Sequence, residues 1–513
     1  MPSAHKRLIA LLVASTFVVI LNETIMSVAL PHLMDDLSIP ETTAQWLTTA
    51  FLLTMAVVIP ITGFLIQRFP VRTVYIVAMS AFTLGTLIAA LAPGFTVLLL
   101  GRIVQAVGTA LMMPLLMTTI LTLVPASRRG QTMGMVSIVI AVAPAIGPTI
   151  SGLVLSGLDW RWMFWFVLPI AVLSLILGGL WVRNVTEPRP AHLDVASVVL
   201  SAIGFSGVVY GLSSIGEAAR GDTPIPPVIP IVIGVVALLV FGWRQLRIGE
   251  RALLDLRVFA SRTFAVAALL MAASMMSLFG AIILLPLFLQ NVQDASTLTT
   301  GLIMLPGGLV MGLMAPFVGR IYDRVGPRPL VIPAAGVVIL AMALMSTLDE
   351  GTSRGFVIGC HVVLSIGLAL LFTPLLTAAL GSVPAHLYSH GSAIVSTLQQ
   401  VAGAAGTAIF ITVMTRRATS VSDVGTEDVH ALSEGVQAAM TVGVGLAVVG
   451  GVIALLIRRP PAGPMETTTA DGQPVDPHPV EPGPDSPDAD ADAPGPGAGP
   501  DGDPTPVEEP AKV

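Results

Sequence analysis

Long apolar stretches recur along this chain up to about residue 457 and restrict it to a narrow class of folds. A helix needs about 20 apolar residues to cross the hydrocarbon core of a bilayer, because each residue adds about 1.5 Å. Only 11% of the residues are charged, whereas soluble domains carry about 25%. We therefore predict an all-α polytopic membrane protein with fourteen transmembrane helices. The predicted spans are 8–30, 43–66, 74–92, 95–123, 133–157, 161–182, 194–215, 226–248, 262–291, 299–320, 329–347, 355–382, 390–414 and 436–457.

The first stretch has two interpretations. It follows the basic segment 5–7 and is trailed by the small residues 27–29, as in a cleaved signal peptide. Its apolar part exceeds the roughly 7–15 residues of a signal core and contains Glu23, so we interpret it as a retained helix.

Positively charged residues indicate the orientation of the helices, since they stay on the cytoplasmic side of a membrane. With the N-terminus inside, the cytoplasmic segments up to Arg459 contain eighteen arginine and lysine residues, and the outer segments contain five. We therefore predict a multi-pass protein of the inner (cytoplasmic) membrane with both termini in the cytoplasm.

The last segment, residues 460–513, differs from the rest in composition. It contains twelve acidic residues and one lysine, is rich in proline and glycine, and has no apolar run. Such a segment cannot bury enough apolar surface to fold, so we predict a disordered acidic tail.

A ten-residue pattern occurs twice. GFLIQRFPVR at 63–72 recurs as GRIYDRVGPR at 319–328, with the glycine, the first arginine and the last arginine in register. Each copy lies at the predicted cytoplasmic end of an even-numbered helix, so the two halves are parallel repeats. Six helices per repeat leave two helices over. The predicted domains are a six-helix bundle at 1–190, two inserted helices and a linker at 191–257, a second six-helix bundle at 258–459 and the tail at 460–513.

Four local patterns resemble those of one known family. The second copy of the repeat fits G-x-x-x-D-R-x-G-x-R, the fourth helix carries LLLGRIVQAVGTA, the fifth carries AVAPAIGPTISG, and the first carries LNETIMSVALP. Together they resemble the major facilitator superfamily, in its fourteen-helix branch of drug:proton antiporters, and are most similar to its lincomycin and multidrug efflux group. Outside the first helix, the matching residues are Gly319, Asp323, Arg324, Gly326, Arg328, Arg102, Gln105, Gly108, Gly147, Pro148 and Gly152.

The resemblance covers about residues 8–457 and implies a major facilitator fold with two six-helix bundles. In this family the repeated loop is a cytoplasmic gate, whose aspartate pairs with a helix N-terminus and whose arginines pair with acids. The first copy has Gln67 where the second has Asp323, and Pro70 in place of the glycine. We therefore expect the second copy to form the stronger gate contact. The gate residues implied in the first copy are Arg68 and Arg72.

The fifth helix is implied to carry the antiporter motif, at Gly147, Pro148 and Gly152. Ala143 and Ser151 stand where the family has glycines. Small residues and proline let helices approach closely and bend, so plain packing also explains much of this pattern.

The first helix departs from the family in the position of its acid. The usual aspartate position is Asn22, and the acid has moved one place to Glu23. One residue corresponds to a rotation of about 100° around a helix. Either the longer glutamate reaches the same cavity, or the proton chemistry of this protein differs.

An ionised carboxylate inside a membrane costs at least about 2.5 kcal/mol and needs a water-filled cavity or a partner. Arg102 is the one arginine or lysine that lies more than five residues from the ends of a predicted span, and it lies at a depth similar to that of Glu23. We predict that they meet and, with Asn22, form a proton-coupling site. The alternative is a fixed ion pair that joins the first and fourth helices.

Other polar residues within or beside the spans are candidates for the substrate cavity, although they also suit hydrogen bonds between helices. The candidates are Gln45, Trp46, Gln105, Gln399 and Gln400. We find no phosphate-binding G-x-x-x-x-G-K-[ST] pattern, no nucleophile and base pair, and a single cysteine, Cys360. We therefore predict no enzyme activity, no metal, no cofactor, no nucleotide and no nucleic acid partner.

The resemblance, together with the position of Glu23, implies a proton-coupled antiporter that exports drugs or antibiotic-like amphipathic compounds by alternating access. Its partners would be a small-molecule substrate, protons and the lipid bilayer. One alternative is the same fold moving a lipid, siderophore or metabolite, possibly by symport. Another is a non-transporting membrane scaffold or sensor that uses the acidic tail.

Overall fold

The computed structural model describes residues 3–155, 157–182, 184, 193–215, 225–422 and 428–457. Within these residues it contains fourteen helices that are long and apolar enough to cross a membrane, and no strand. The predicted fold class is confirmed. In chain order the helices are α1 Ser3–Leu37, α2 Glu41–Arg68, α3 Val71–Ala90, α4 Phe95–Leu123, α5 Arg129–Leu155, α6 Arg161–Trp181, α7 Val195–Ser213, α8 Val228–Ile248, α9 Arg262–Asn291, α10 Thr297–Val325, α11 Arg328–Met345, α12 Arg354–Gly381, α13 Tyr388–Ser422 and α14 Asp428–Ala454.

Several helices extend beyond their apolar stretches. Both α1 and α13 have 35 residues, although their apolar stretches are 8–30 and 390–414. An apolar run marks only the part of a helix that lies in hydrocarbon, whereas helical hydrogen bonds can continue into water. The predicted tail at 460–513 lies outside the described residues.

Small residues set the packing within the first bundle. Helix α1 contacts α4, α5 and α6, and α3 packs along α4. An added Cβ at Gly85 would lie 2.5 Å from the backbone nitrogen of Gln105, and one at Gly101 would lie 2.9 Å from that of Ala89. Glycine therefore permits the backbones of α3 and α4 to touch.

The two inserted helices form a hairpin of their own. Gly207 on α7 packs against the backbone of Gly234 on α8, and Arg244 donates hydrogen bonds of 2.8 and 3.0 Å to both carboxylate oxygens of Asp194. Helix α7 also contacts α2 and α13. Side chains of α8 such as Leu239 are 68% exposed, as expected for a surface that faces lipid.

The two bundles meet along α5 with α10 and along α2 with α13. An added Cβ at Gly319 would collide with the carbonyl oxygen of Gly130, and one at Gly134 would lie 2.6 Å from the carbonyl oxygen of Ala315. Helices α5 and α10 are therefore in direct backbone contact.

Candidate functional site

Arg102 is the centre of a buried hydrogen-bond network in the first bundle. Its side chain is 1% exposed, and Nη1 donates to Asn22 Oδ1 at 3.2 Å and to Gln105 Oε1 at 3.0 Å. Gln105 in turn donates to the hydroxyl of Thr86 at 2.8 Å. The guanidinium also lies 4.1 Å from the ring centroid of Phe51. One cation thus joins α1, α2 and α4, and Gln105 extends the network to α3.

Glu23 lies on a different face of α1 from Asn22. Successive helical residues differ by about 100°, so the amide of Asn22 points at Arg102 while the Glu23 side chain lines a cavity between the bundles. Among the described residues, no basic side chain forms an ion pair with Glu23 within 4.0 Å. The expected meeting of Glu23 and Arg102 is therefore not a direct ion pair, because Asn22 makes that contact.

The central cavity lies between the bundles and has a volume of about 180 Å³. Helices α1, α2, α4 and α5 form one side, and α9 and α13 form the other. Most of its surface is apolar, and Glu23 is the one acidic residue among the described residues that line it. Side chains at its surface include Ile20, Glu23, Met55, Ile59, Met113, Met275, Phe279, Ser396, Gln399 and Gln400.

The polar candidates from the sequence divide into two groups. Gln399 and Gln400 line the central cavity, and their amide nitrogens lie 3.3 and 3.5 Å from methionine sulfur atoms, which are weak acceptors. Gln105 instead lies in the Arg102 network. Gln45 and Trp46 do not line this cavity, and Trp46 stacks on Tyr210 of α7 with ring centroids 6.0 Å apart. The structure therefore places Gln399 and Gln400 at the surface of the central cavity, but not Gln45, Trp46 or Gln105.

The α5 pattern packs against α1 beside Glu23. An added Cβ at Gly147 would collide with the hydroxyl of Thr24, the residue after Glu23. Ser151, which stands in place of a family glycine, donates to the carbonyl oxygen of Ile25 at 3.1 Å. Gly152 has open space around it, and Pro148 directly follows Gly147 on α5. Sequence reasoning missed Thr24 and the supporting role of Ser151.

Asp323 at the end of α10 binds the beginning of α5. Its carboxylate accepts hydrogen bonds from the backbone nitrogens of Gly130 at 2.8 Å and Gln131 at 3.0 Å. A carboxylate at this position also interacts favourably with the positive end of the helix dipole. Gly326 follows α10 with φ of 80°, a conformation that favours glycine, and Pro70 in the first copy cannot adopt it.

The first copy of the repeat makes different contacts with its neighbours. Gln67 donates to the hydroxyl of Ser389 at the start of α13 at 3.0 Å, and Arg72 donates to the carbonyl oxygen of Gly179 at 2.7 Å. Arg68, Arg324 and Arg328 are exposed. No ion pair between described residues includes these four arginines, so the pairing with acids that the resemblance implied is not seen there.

Two further hydrogen bonds join the bundles in the half that contains these loops. Thr118 of α4 donates to Ser392 of α13 at 3.3 Å, and Thr373 of α12 donates to Ser137 of α5 at 2.7 Å. With the contacts of Asp323 and Gln67, they join the two bundles in this half of the interface. Sequence reasoning missed all four residues, and the one available signal was hydroxyl groups near the ends of apolar helices.

Comparison with known proteins identifies the family to which this chain is similar. A family model described as Major Facilitator Superfamily matches residues 12–407. An uncharacterized MFS-type transporter of Bacillus subtilis (strain 168), YcnB, is 42% identical over 460 residues, which cover 90% of this chain and 96% of that protein. The lincomycin resistance protein LmrB of Listeria monocytogenes serovar 1/2a (strain ATCC BAA-679 / EGD-e) is also 42% identical, over 457 residues that cover 88% of this chain and 96% of that protein.

The fold is also found among solved structures. The crystal structure of the human organic anion transporter MFSD10 (TETRAN) superposes with a TM-score of 0.63 at 15% sequence identity and covers 88% of this chain and 100% of that one. At this identity the likeness concerns the fold alone. The family match and the two relatives go further, and they show that this chain is a multi-pass membrane transporter, not an enzyme, and belongs to the Major Facilitator Superfamily.

Proposed function

We propose that this transporter exports amphipathic, drug-like compounds from the cytoplasm in exchange for protons, and that Glu23 carries the proton. Both termini would lie in the cytoplasm, as the distribution of arginine and lysine predicts. The two bundles would rock about the central cavity, so that the cavity opens to one side of the membrane at a time.

The observation that carries this proposal is the position of the Glu23 carboxylate. It lines the central cavity, and no described basic side chain lies within ion-pair distance of it. An acid bound in a fixed ion pair would resist protonation, whereas an acid at a cavity surface can exchange its proton with water. Arg102, held by Asn22 and Gln105, would supply a positive charge at a similar depth in the membrane.

The gate contacts support alternating access. Asp323 and Gln67 join the bundles in the predicted cytoplasmic half, and the cavity lies beyond them. We interpret this arrangement as the state closed to the cytoplasm, in which Glu23 would take up a proton from outside. Breaking these contacts would open the other state, in which the proton leaves and the substrate enters.

The names of relatives support the substrate class. The Listeria relative is a lincomycin resistance protein, and a Mycobacterium tuberculosis relative that is 29% identical over 76% of this chain is a multidrug resistance protein B homolog. Lincomycin and a panel of lipophilic drugs are therefore the first compounds to test.

The experiment is drug-evoked proton movement in vesicles that contain the purified protein, with a set pH gradient. Addition of a substrate should move protons in the direction opposite to the drug. A protonophore that collapses the gradient should stop drug accumulation. Drug accumulation at the same rate without a gradient would contradict proton coupling, and proton movement in the same direction as the drug would indicate symport.

A further inference from the structure

A second, smaller cavity lies beside the central cavity and has a volume of about 100 Å³. Glu23, Phe279 and Gln400 line both spaces, so the two cavities adjoin at the carboxylate. Val209 and Ser213 of α7 form part of the remaining wall. One of the inserted helices therefore contributes directly to the space around Glu23. We call this space the side cavity.

The two contact regions between the bundles, which we call the α5–α10 seam and the α2–α13 seam, differ in that only the second is covered by α7. At the α5–α10 seam, glycines such as Gly130 and Gly319 hold the backbones in contact. At the α2–α13 seam, α7 packs against both helices, and its Tyr210 stacks on Trp46 of α2. Helix α7 is itself held to α8 by the bidentate hydrogen bonds between Asp194 and Arg244. Helix α7 is thus held in place by α2, α8 and α13 where it borders the side cavity.

The surface of the side cavity is mostly apolar. Leu52, Val209 and Phe279 are among its apolar residues, and the ring of Phe279 lies against Gly403, where an added Cβ would come within 3.2 Å of the ring. Glycine at this position leaves room for the ring between the two cavities. The hydroxyl groups that line the side cavity belong to Ser213 and Thr407. Such a surface suits an apolar group that needs no hydrogen-bond partner.

We propose that the side cavity is a second substrate subsite, in which α7 encloses an alkyl or aryl arm of a lipophilic cation whose charged centre lies beside Glu23 in the central cavity. This inference rests on the proposed function and names its substrate class. A carboxylate among apolar side chains attracts a cation with apolar substituents, and the arm gains by leaving water. The inserted helix pair, which a transporter of two six-helix repeats does not need, would then set the size of the substrates that are accepted.

The test uses the full-length protein in vesicles and a series of alkyltriphenylphosphonium cations with chains from methyl to decyl. Val209→Trp fills the side cavity. The matched control is Ile203→Trp, at a 46% exposed position of the same helix. We expect Val209→Trp to lower the ratio of decyl to methyl transport by about tenfold or more, the discrimination that methylene groups give in an apolar pocket. Ile203→Trp should leave the ratio as in the wild type.

A second variant covers the case in which Val209→Trp loses all transport. Ser213→Leu extends a smaller side chain into the same space, and it should also lower the decyl to methyl ratio. Ratios that match the wild type in the Ser213 variant and in any active Val209 variant would overturn the subsite and leave the proposed function intact. A wild-type protein that moves no member of the series would overturn the cationic substrate class and the subsite with it.

Discussion

Asn22 and Arg102 are joined by a buried hydrogen bond of 3.2 Å, and the carboxylate of Glu23, one residue further along the same helix, lies at the surface of the central cavity. Asn22 holds the guanidinium, and the Glu23 side chain faces the cavity, where we propose that it exchanges protons. The two placements differ because neighbouring helical residues are rotated by about 100°.

Asn22→Ala should lower the thermal stability of the protein. The substitution removes one of the two side-chain acceptors of Arg102, and an unsatisfied buried donor costs about 1–3 kcal/mol. Thermal unfolding in detergent should show a lower midpoint for Asn22→Ala. Glu23→Gln is the control, because Glu23 has no ion pair among the described residues, and its midpoint should stay close to that of the wild type. Equal midpoints for Asn22→Ala and the wild type would contradict the importance of this hydrogen bond.

Two glycines of the α5 pattern should respond differently to alanine. Gly147→Ala places a methyl group against the hydroxyl of Thr24 beside Glu23, whereas Gly152 has open space around it. Overpacking of this kind typically costs about 1–3 kcal/mol, so Gly147→Ala should lower both stability and proton-driven transport. Gly152→Ala should change stability little or raise it, since alanine favours the helix by up to about 1 kcal/mol. Similar losses in both variants would show that the local contact with Thr24 is not the cause.

Asp323→Asn should weaken the closed state of the predicted cytoplasmic half. The carboxylate interacts with the N-terminus of α5 through two backbone hydrogen bonds, and a charge at this position contributes up to about 2 kcal/mol. The population of the open state should therefore rise by about tenfold. A single cysteine at Ser396 in the central cavity, in a Cys360→Ser background, reports this change as faster maleimide labelling from the cytoplasmic side.

The control for the gate experiment is Asp349→Asn, which changes an exposed aspartate in the loop between α11 and α12. This variant should label at the rate of the Ser396→Cys parent. A labelling rate for Asp323→Asn that also matches the parent would mean that the contact with α5 does not limit opening.

The ion pair at the base of the inserted hairpin should give stability a defined pH dependence. Hydrogen bonds from Arg244 lower the pKa of Asp194 from 3.8 to about 2. The stabilisation is complete above the ordinary pKa of 3.8 and is lost as the pH falls through about 2. Asp194→Asn should therefore lower the unfolding midpoint at neutral pH, and its difference from the wild type should shrink as the pH falls below about 4. A difference that stays constant into this acid range would contradict the assignment.

The fourteen helices could be predicted because the thickness of a bilayer sets the length of each apolar run. The contact between Asp323 and a helix N-terminus could be expected as well, since the second repeat copy keeps the whole loop pattern. The helix ends could not be placed in the same way. At α1 and α13 the helix continues past the apolar run into polar residues, and polarity alone does not stop a helix.

The different surroundings of Asn22, which contacts Arg102, and of Glu23, which lines the cavity, could not be predicted from the sequence. Helical periodicity gives the angle between two residues, but the absolute rotation of α1 depends on its packing against α4 and α5. The same limit applies to Trp46, whose neighbour is Tyr210 on an inserted helix, 164 positions further along the chain. Interbundle pairs such as Thr118 with Ser392 depend on how two bundles meet, and no local pattern contains that information.

The measurement that tests the central claim most directly compares two transport modes of Glu23→Gln in vesicles. Exchange of labelled for unlabelled drug at saturating concentration needs binding and alternating access but no net proton movement, whereas accumulation driven by a pH gradient needs the proton as well. We expect Glu23→Gln to retain exchange and lose gradient-driven accumulation, and Glu23→Asp, which keeps a carboxylate, to retain measurable amounts of both. Gradient-driven accumulation by Glu23→Gln at the wild-type level would contradict the assignment of the proton to Glu23.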